Sequence, residues 1–308
     1  MPSGTQTNRT AISLPAELSR EIIQTAVNES TIMRLARRVN LPGRGLDIPT
    51  ITADPEAEWV SETNAKPVKN PGLGLKNMRG FTLAVILPFS RQFRRDLAGL
   101  YDAILARLPA ALGQKFDATV LGAVDKPGDA FDNFASTSAY SILTSGGNTT
   151  YGGLVSAHTD IATHGGILNG FALSPQAVGI LLSAVDDDKR PLFINSVADG
   201  AIPRVLGAPT YQSRGLYKAG SAESGSDPAV PAIVGVAGDW TQAMYGMVED
   251  IEISFADQAT LTYLNQSNET VTINLWQKNM FAVRCEMEVG FVANTDVFCR
   301  LTGATPSA

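Results

Sequence analysis

Apolar residues recur at steps of three or four positions between residues 93 and 120, and this pattern constrains the fold more than any other. They are Phe93, Leu97, Leu100, Ile104, Leu108, Leu112, Phe116 and Val120. Such spacing is typical of one long amphipathic helix. We predict this spine helix from Ser90 to about Ala123, with the Ser90 hydroxyl as its N-cap. Pro109 lies inside the run, so we expect a kink or a break there.

A polar stretch rich in proline and glycine, residues 55–80, precedes the spine helix. It is bounded by two strand-like runs, AEWVSE (57–62) and GFTLAVILPF (80–89). An excursion of this length is too long for an ordinary hairpin turn, and such loops usually carry function or reach a partner. A segment this polar cannot offset its ordering entropy within one subunit, so we expect it to gain order by lying across an identical neighbour.

Shorter elements fill the rest of the chain. A polar arm leads to a helix that begins at Pro15, and two further helical runs, 154–165 and 174–188, flank a short strand at 170–173. Residues 207–232 are rich in Gly, Ser and Pro, which predicts a surface connection. Strand-like runs then alternate to the end of the chain. This mixture indicates an α+β fold.

Composition and charge exclude several classes of protein. Hydrophobic residues make up 44% and charged residues 18% of the chain, and the formal net charge is −6. That balance argues against a protein that wraps nucleic acid through counterion release, whereas an acidic container wall would repel packed DNA. The longest apolar run, Phe81–Phe89, is too short to cross a bilayer. With no signal-like segment at the start, we expect synthesis in the cytoplasm, with Cys285 and Cys299 as free buried thiols.

The order of these elements, with four local motifs, resembles the major capsid proteins of tailed bacteriophages that have the Hong Kong 97 (HK-97) fold. The motifs are Ala57–Glu62 followed by Lys66 and Pro67, then Pro88–Ser90, Gly235–Asp239 and Trp276–Glu286. The resemblance covers nearly the whole chain. It implies an N-terminal arm with a first helix (1–45), an extended β-hairpin loop with flanking strands (46–88), a peripheral domain on the spine helix (89–130 and 246–292) and an axial domain (131–245 and 293–308).

The resemblance also implies a partner set. Identical subunits would form hexamers and pentamers, and these would close an icosahedral shell around double-stranded DNA without sequence-specific contact. The shell would belong to a virion assembled in the host cytoplasm, with a portal protein and decoration proteins as further partners. Because the sequence has no long charged helical segment near its start, we expect a separate scaffolding protein or none. No enzymatic activity, cofactor or membrane is expected.

Contacts between subunits are expected from the long loop and from the start of the spine helix. The candidate residues are Trp59, Glu62, Lys66, Lys69, Lys76, Arg79, Arg91, Arg94 and Arg95. The three arginines of the helix start could alternatively meet phosphates, but the acidic total favours salt bridges between subunits.

Some members of the resembled family lock their shells with an isopeptide bond between a loop lysine and an asparagine, assisted by a glutamate. The matching positions are Lys66, Asn279 and Glu286. Only a neutral amine can attack the carboxamide carbon, so burial must disfavour the ammonium and a carboxylate must take the proton. The alternative, which we favour, is that Lys66 and Glu286 make ordinary polar contacts between subunits and that Asn279 lies in a loop.

Two other functions stay open. An encapsulin-type bacterial compartment shares the fold and would enclose an enzyme in place of DNA. A metal-dependent hydrolase would centre on His158, Asp160 and His164. Because the two histidines are six residues apart, they do not share one helical face. We therefore expect a surface helix end, and no metal site.

Overall fold

A computed structural model describes residues 30–53, 59–60, 66, 68, 72–143, 150–185, 188, 190–193, 202, 204–223, 228–264 and 268–306. In this part of the chain the strands form a four-stranded sheet, a six-stranded sheet and two hairpins. The expected arm and first helix, and the candidate contact residues Glu62 and Lys69, lie outside the described residues.

The described residues form five α-helices and fourteen strands. The first elements are α1 (Thr31–Leu35), β1 (Arg37–Asn40), β2 (Leu46–Ala53), β3 (Gly72–Met78), β4 (Phe81–Ser90), α2 (Arg91–Asp96), α3 (Ala98–Leu121) and β5 (Ala139–Ser141). The middle elements are α4 (Thr150–Thr163), β6 (Gly170–Leu173), α5 (Pro175–Ser183), β7 (Arg204–Val205), β8 (Ala208–Gln212) and β9 (Ile233–Gly238). The last are β10 (Ala243–Ala256), β11 (Thr260–Leu264), β12 (Thr270–Asn274), β13 (Met280–Ala293) and β14 (Phe298–Thr302), with 3₁₀ turns at Trp240–Gln242 and Thr295–Val297. The predicted α+β class is confirmed.

The four-stranded sheet, in the order β1-β10-β13-β4, packs against α3. Along β13 alternate side chains are fully or nearly buried, among them Cys285, Met287 and Phe291, as the two-residue period of a strand requires. Phe116 of α3 meets Phe291 edge to face, with ring centroids 6.1 Å apart. Removing such a buried ring, as in Phe116→Ala, typically costs about 3–5 kcal/mol of stability.

The predicted continuous spine helix is wrong at Leu97, where φ −132° and ψ 47° separate α2 from α3. The geometry of the helix explains the break. Apolar steps of mostly four residues drift around an axis that turns every 3.6 residues, so a straight helix would put Phe93 and Val120 about 180° apart. Leu97 and Leu100 are accordingly half exposed, while Val120 is buried. The predicted cap is confirmed, because the Ser90 hydroxyl accepts a 3.0 Å hydrogen bond from the Phe93 amide.

The break expected at Pro109 is wrong, because α3 continues through this residue; the alternative, a kink, stays a prediction. Pro109 lies buried within the 24 residues of α3. A proline removes one helical hydrogen bond, and the packing of Leu108 and Leu112, both in the core, holds the helix through this point. The helix ends instead at Gly122, whose φ of 81° is left-handed and favours glycine.

The six-stranded sheet follows the order β5-β14-β9-β6-β8-β7. Its central strands β6 and β9 are buried along their whole length. Helices α4 and α5 cover β6, β9 and the neighbouring strand β14. The predicted strand at 170–173 and the two helices beside it are confirmed. The expected surface connection over 207–232 is partly wrong, because β8 takes residues 208–212 and pairs in parallel with β6.

The long loop is built differently from the expectation. Its hairpin consists of β2 and β3, which pair from Leu46 opposite Met78 to Ala53 opposite Gly72, and Trp59 and Val60 are not in a strand. β4, which the prediction placed as a flanking strand of the loop, pairs with β13 over its ten residues and so belongs to the four-stranded sheet. The alternating apolar side chains of β4 pack against the core beside that sheet and not against the loop. The boundary expected at residue 88 stays a prediction. The division into peripheral and axial domains stays a prediction.

Cys285 and Cys299 are both buried free thiols, as predicted. In the described part of the chain, helices that combine the length and the apolar character needed to cross a membrane do not occur.

Candidate inter-subunit surfaces

The long loop presents apolar side chains to solvent. The relative solvent exposures of Trp59 and Val68 are 105% and 90%, so both side chains are fully or almost fully exposed. Lys66, which lies between them in the sequence, is exposed as well. Large apolar side chains at this level of exposure, close together in sequence, are typical of a contact region.

Lys76 fastens the base of the hairpin to the four-stranded sheet. Its Nζ lies 2.9 Å from Asp132 Oδ2 and donates a 2.6 Å hydrogen bond to the carbonyl of Ala293. The same Asp132 oxygen accepts a 3.1 Å bond from the Ala293 amide. Lys76 is thus engaged within its own chain, whereas Arg79 is exposed and, among the described residues, donates to the nearby Asn77 at 3.1 Å.

The three arginines of α2 also have partners within the chain. Arg91 lies 3.0 Å from Asp257 and Arg95 lies 2.9 Å from Asp96. The Arg94 guanidinium lies 5.7 Å from the centre of the Phe281 ring. All three line an open cavity of about 860 Å³. The structure therefore brings these residues together on one surface, but it separates them from Lys76 and Arg79 of the hairpin base. That they contact another subunit stays a prediction.

The three candidate crosslinking residues occupy different places. Lys66 lies on the loop, Asn279 ends the turn that precedes β13, and Glu286 lies within β13 opposite Ala84. Asn279 has a left-handed φ of 52° and its carbonyl accepts a 3.2 Å bond from the Arg91 amide. Glu286 is 2.8 Å from Arg284. At about 3.3 Å per strand residue, Asn279 and Glu286 are roughly 20 Å apart along β13, so one subunit cannot supply both to one bond.

Asp160 has a structural role in α4. It accepts a 3.3 Å hydrogen bond from the Cys299 thiol and lies 3.5 Å from His164 Nδ1. Burial opposes its ionisation, yet hydrogen bonds from Cys299, Ser138 and Tyr140 outweigh burial and hold the pKa of Asp160 below its usual value. Burial and this carboxylate raise the pKa of Cys299 to about 12.

The histidines of the alternative metal site do not converge. His158 and His164 are both exposed. Among the described residues, groups of three or more His, Cys, Asp or Glu side chains placed to hold a metal ion are not found. Asp160 is instead turned toward Cys299 in the protein interior.

Asp117 is a buried site that the sequence patterns did not reveal. This residue of α3 accepts hydrogen bonds from the Ser30 hydroxyl at 2.6 Å and from the Thr31 and Ile32 amides at 3.0 and 3.3 Å. It thus binds the amino end of α1. Burial raises the pKa of Asp117 to about 6, although these hydrogen bonds oppose the shift.

Asp239 ends the Gly235–Asp239 motif that the sequence analysis singled out. Its carboxylate accepts hydrogen bonds from the Asn169 side chain at 2.7 Å, the Ile167 amide at 3.2 Å and the Thr241 hydroxyl at 2.6 Å. Burial raises its pKa, but these bonds prevail and the pKa of Asp239 lies below its usual value. Next to it, Trp240 Nε1 donates a 3.0 Å bond to the Gly170 carbonyl. The motif ties β9 to the start of β6.

A comparison of the sequence with protein families decides the identity of the chain. The model of the phage capsid family matches residues 10–300. The chain belongs to the phage capsid family. It is a capsid shell protein, as the order of its elements predicted.

Relatives of this capsid protein are similar over nearly their whole length. It is 26% identical over 298 residues to a probable major capsid protein, gp17, of Mycobacterium phage D29, covering 94% of this chain and 89% of that one. A solved structure from Mycobacterium phage Ogopogo superposes with a TM-score of 0.72 at 17% identity, covering 90% and 92%. Another, titled as the capsid of a native GTA particle computed with C5 symmetry, has a TM-score of 0.61 at 16% identity, covering 99% and 95%. The predicted α+β fold of the HK-97 type is confirmed.

Proposed function

We propose that this capsid protein assembles with identical copies, as hexamers and pentamers, into an icosahedral shell that encloses double-stranded DNA. The exposure of Trp59 and Val68 on the long loop carries the proposal. Large apolar side chains that are exposed in the described part of the chain are stabilised when a neighbouring copy covers them. The relative titled with C5 symmetry is consistent with a ring of subunits.

The candidate contact residues support the same arrangement. The exposed loop carries Trp59 and Lys66, and a second surface carries the three arginines of α2. A surface that is both apolar and charged suits contact with a neighbour, because apolar burial supplies affinity while charges fix the register. Arg91 and Arg95 already have carboxylate partners in their own chain, so contact with another subunit would extend these pairs into networks.

Several partners follow from this proposal. The shell would form part of a virion assembled in the host cytoplasm, with a portal protein and with separate scaffolding or decoration proteins. The net charge of −6 suits a wall that holds DNA without gripping it. The protein would act through assembly and not as an enzyme, since Asp160, the only acid of the alternative hydrolase site, is bound to Cys299.

The test is the size and content of the purified protein. The full chain is produced in bacteria, and static light scattering with negative-stain electron microscopy gives the size of the product. Closed particles or rings of subunits are expected, and a freely tumbling species of 32.6 kDa would refute the proposal. Particles purified from infected cells should contain nuclease-protected DNA. A folded enzyme inside them, in place of DNA, would identify an encapsulin-type compartment.

A further inference from the structure

The basic residues of this acidic chain are unevenly distributed. Three stretches, residues 31–46, 103–124 and 204–222, contain nine of the 24 Lys and Arg residues but one of the 30 Asp and Glu residues. That one acid is Asp117, which is buried in α3 and accepts a hydrogen bond from the start of α1. The total charge of −6 therefore conceals a basic part of the chain and a more strongly acidic remainder.

Asp117 brings two of these basic stretches together. Its carboxylate accepts hydrogen bonds from the Thr31 amide, at 3.0 Å, and from the Ser213 hydroxyl. Arg34 lies three residues after Thr31 in α1, and Arg214 directly follows Ser213. Both arginines are exposed. The shared acceptor thus places two exposed guanidinium groups on neighbouring parts of one surface.

The hairpin of β7 and β8 adds a third arginine to this surface. The Arg34 guanidinium lies 4.7 Å from the centre of the Tyr211 ring in β8, a cation-π contact that holds the guanidinium in place. Arg204 in β7 pairs opposite Pro209, and Pro209 and Tyr211 share one face of β8 because they are two residues apart. The exposed Arg204 is therefore on the same face as Tyr211, with about 8 Å between their Cα atoms.

The chemistry of this surface suits phosphate groups. All three side chains are arginines, whose planar donor fork matches a phosphate with two parallel hydrogen bonds. Each strand of a DNA duplex presents a phosphate about every 3.4 Å along its axis, so guanidinium groups spread over this surface can meet different phosphates. Arg37 and Arg38, exposed at the start of β1, extend the positive charge toward the edge of the four-stranded sheet.

We propose that the arginine surface, formed by Arg34, Arg204 and Arg214, binds the phosphate backbone of duplex DNA. The inference rests on the proposed enclosure of double-stranded DNA and adds to it the surface that the DNA contacts. Phosphate contacts carry no sequence information, which suits a shell that accepts DNA of any sequence. The acidic remainder of the chain repels DNA, so contact is concentrated at the arginine surface.

Binding of a short fluorescent DNA duplex to the unassembled full-length subunit, followed by anisotropy at several salt concentrations, tests the surface. The variant with Arg34→Gln, Arg204→Gln and Arg214→Gln should bind about tenfold or more weakly, and its logarithmic salt dependence should be shallower by about 2–3 units. The matched control is Arg91→Gln with Arg94→Gln and Arg95→Gln. It loses the same charge from the surface that was the alternative phosphate site, and it should bind nearly as the wild type does.

Three results of this measurement overturn the inference. The first is a wild type that does not bind the duplex, and the second is equal weakening in the two triple variants. The third is tighter binding of polyglutamate than of DNA, since the surface would then fit an acidic protein segment. Denaturant unfolding of both variants at the wild-type midpoint verifies that the exposed arginines are not needed for folding.

Arginine modification in wild-type particles gives an independent measurement. Phenylglyoxal is small enough to enter a shell and reacts with exposed arginines, and mass spectrometry gives the rate at each position. Arg34, Arg204 and Arg214 should react severalfold more slowly in DNA-filled particles than in empty ones, whereas Arg79 of the hairpin base should react equally in both. Equal rates at the arginine surface in filled and empty particles overturn the inference and leave the enclosure of DNA standing. Particles without DNA refute the proposed function instead, and the duplex measurement then decides the inference.

Discussion

The Asp117 carboxylate of α3 accepts a 2.6 Å hydrogen bond from the Ser30 hydroxyl, across 87 residues of sequence. Both residues are buried. Ser30 is also the N-cap of α1, because its hydroxyl accepts a 3.1 Å bond from the Met33 amide. One carboxylate thus determines the position of the short helix α1 on the spine helix.

This contact predicts an unusual dependence of stability on pH. Burial raises the pKa of Asp117 to about 6 from its ordinary value of 3.8, so the folded state is penalised when the group ionises. The penalty is absent below pH 4 and complete above about pH 7, where it reaches about 3 kcal/mol. Through this group, the free energy of unfolding should therefore rise by about 1 kcal/mol between pH 7 and pH 5.

The measurement compares the unassembled wild type with Asp117→Asn, which cannot titrate. Denaturant unfolding at pH 7 and pH 5 should give the variant a free energy of unfolding that lacks this rise, while all other carboxyl groups respond as in the wild type. Equal pH dependence in the two proteins would contradict the prediction.

At pH 5, Asp117→Ala should lower the free energy of unfolding by about 1–3 kcal/mol, because the buried donors of Ser30 and Thr31 lose their acceptor.

Replacing Lys76 should loosen the base of the hairpin. Lys76→Met keeps most of the side-chain volume but removes the bonds to Asp132 and to the Ala293 carbonyl. Because both charged groups are partly exposed, we expect a loss of about 1 kcal/mol or less. Hydrogen exchange of the β2 and β3 amides should become faster. Arg79→Met is the matched control, since within the described residues Arg79 donates to its neighbour Asn77 and not to the four-stranded sheet. Equal exchange in both variants would contradict the role of Lys76.

Much of the fold was predictable because local periodicity survives in it. The Ser90 cap, the strand at 170–173, the helices on either side of it and the buried cysteines follow from spacing and from residue type. The break at Leu97 was not predicted, although the drift of a four-residue spacing around a helix already implies it. The sequence therefore contained the signal for the break. It becomes visible only when the angular drift of each apolar step is added over the whole run from Phe93 to Val120.

Other features depend on contacts between distant parts of the chain. Asp117 lies among the apolar residues of α3, and nothing in the local pattern indicates that its partner is Ser30. β4 shows the alternation of a half-buried strand, but only tertiary pairing decides that it joins β13. β11 was missed because its exposed threonines and weak alternation resemble a loop. Of the candidate contact residues, sequence alone cannot show that Lys76 is paired with Asp132 in its own chain.

Removing the tryptophan of the loop should separate assembly from folding. Trp59 is fully exposed in the single chain, so Trp59→Ala should leave the free energy of unfolding of the unassembled subunit unchanged. If a neighbouring subunit covers the Trp59 ring, the variant should lose about 2–4 kcal/mol of association free energy at each subunit contact. The concentration needed for assembly, followed by light scattering, should then rise by a factor of roughly 30 or more. Normal assembly of Trp59→Ala would remove the loop from the subunit contact.

Denaturing electrophoresis of assembled particles should show one band at 32.6 kDa, which means that Lys66 forms no covalent link. The isopeptide reaction requires a lysine, an asparagine and a carboxylate at one place. Glu286 is already paired with Arg284 at 2.8 Å in its own chain. Asn279 lies roughly 20 Å away along the same strand, so the site would need two or three subunits in register. A ladder of bands in the wild type that disappears in Lys66→Arg would contradict this prediction, because a guanidinium keeps the charge but cannot become the neutral nucleophile.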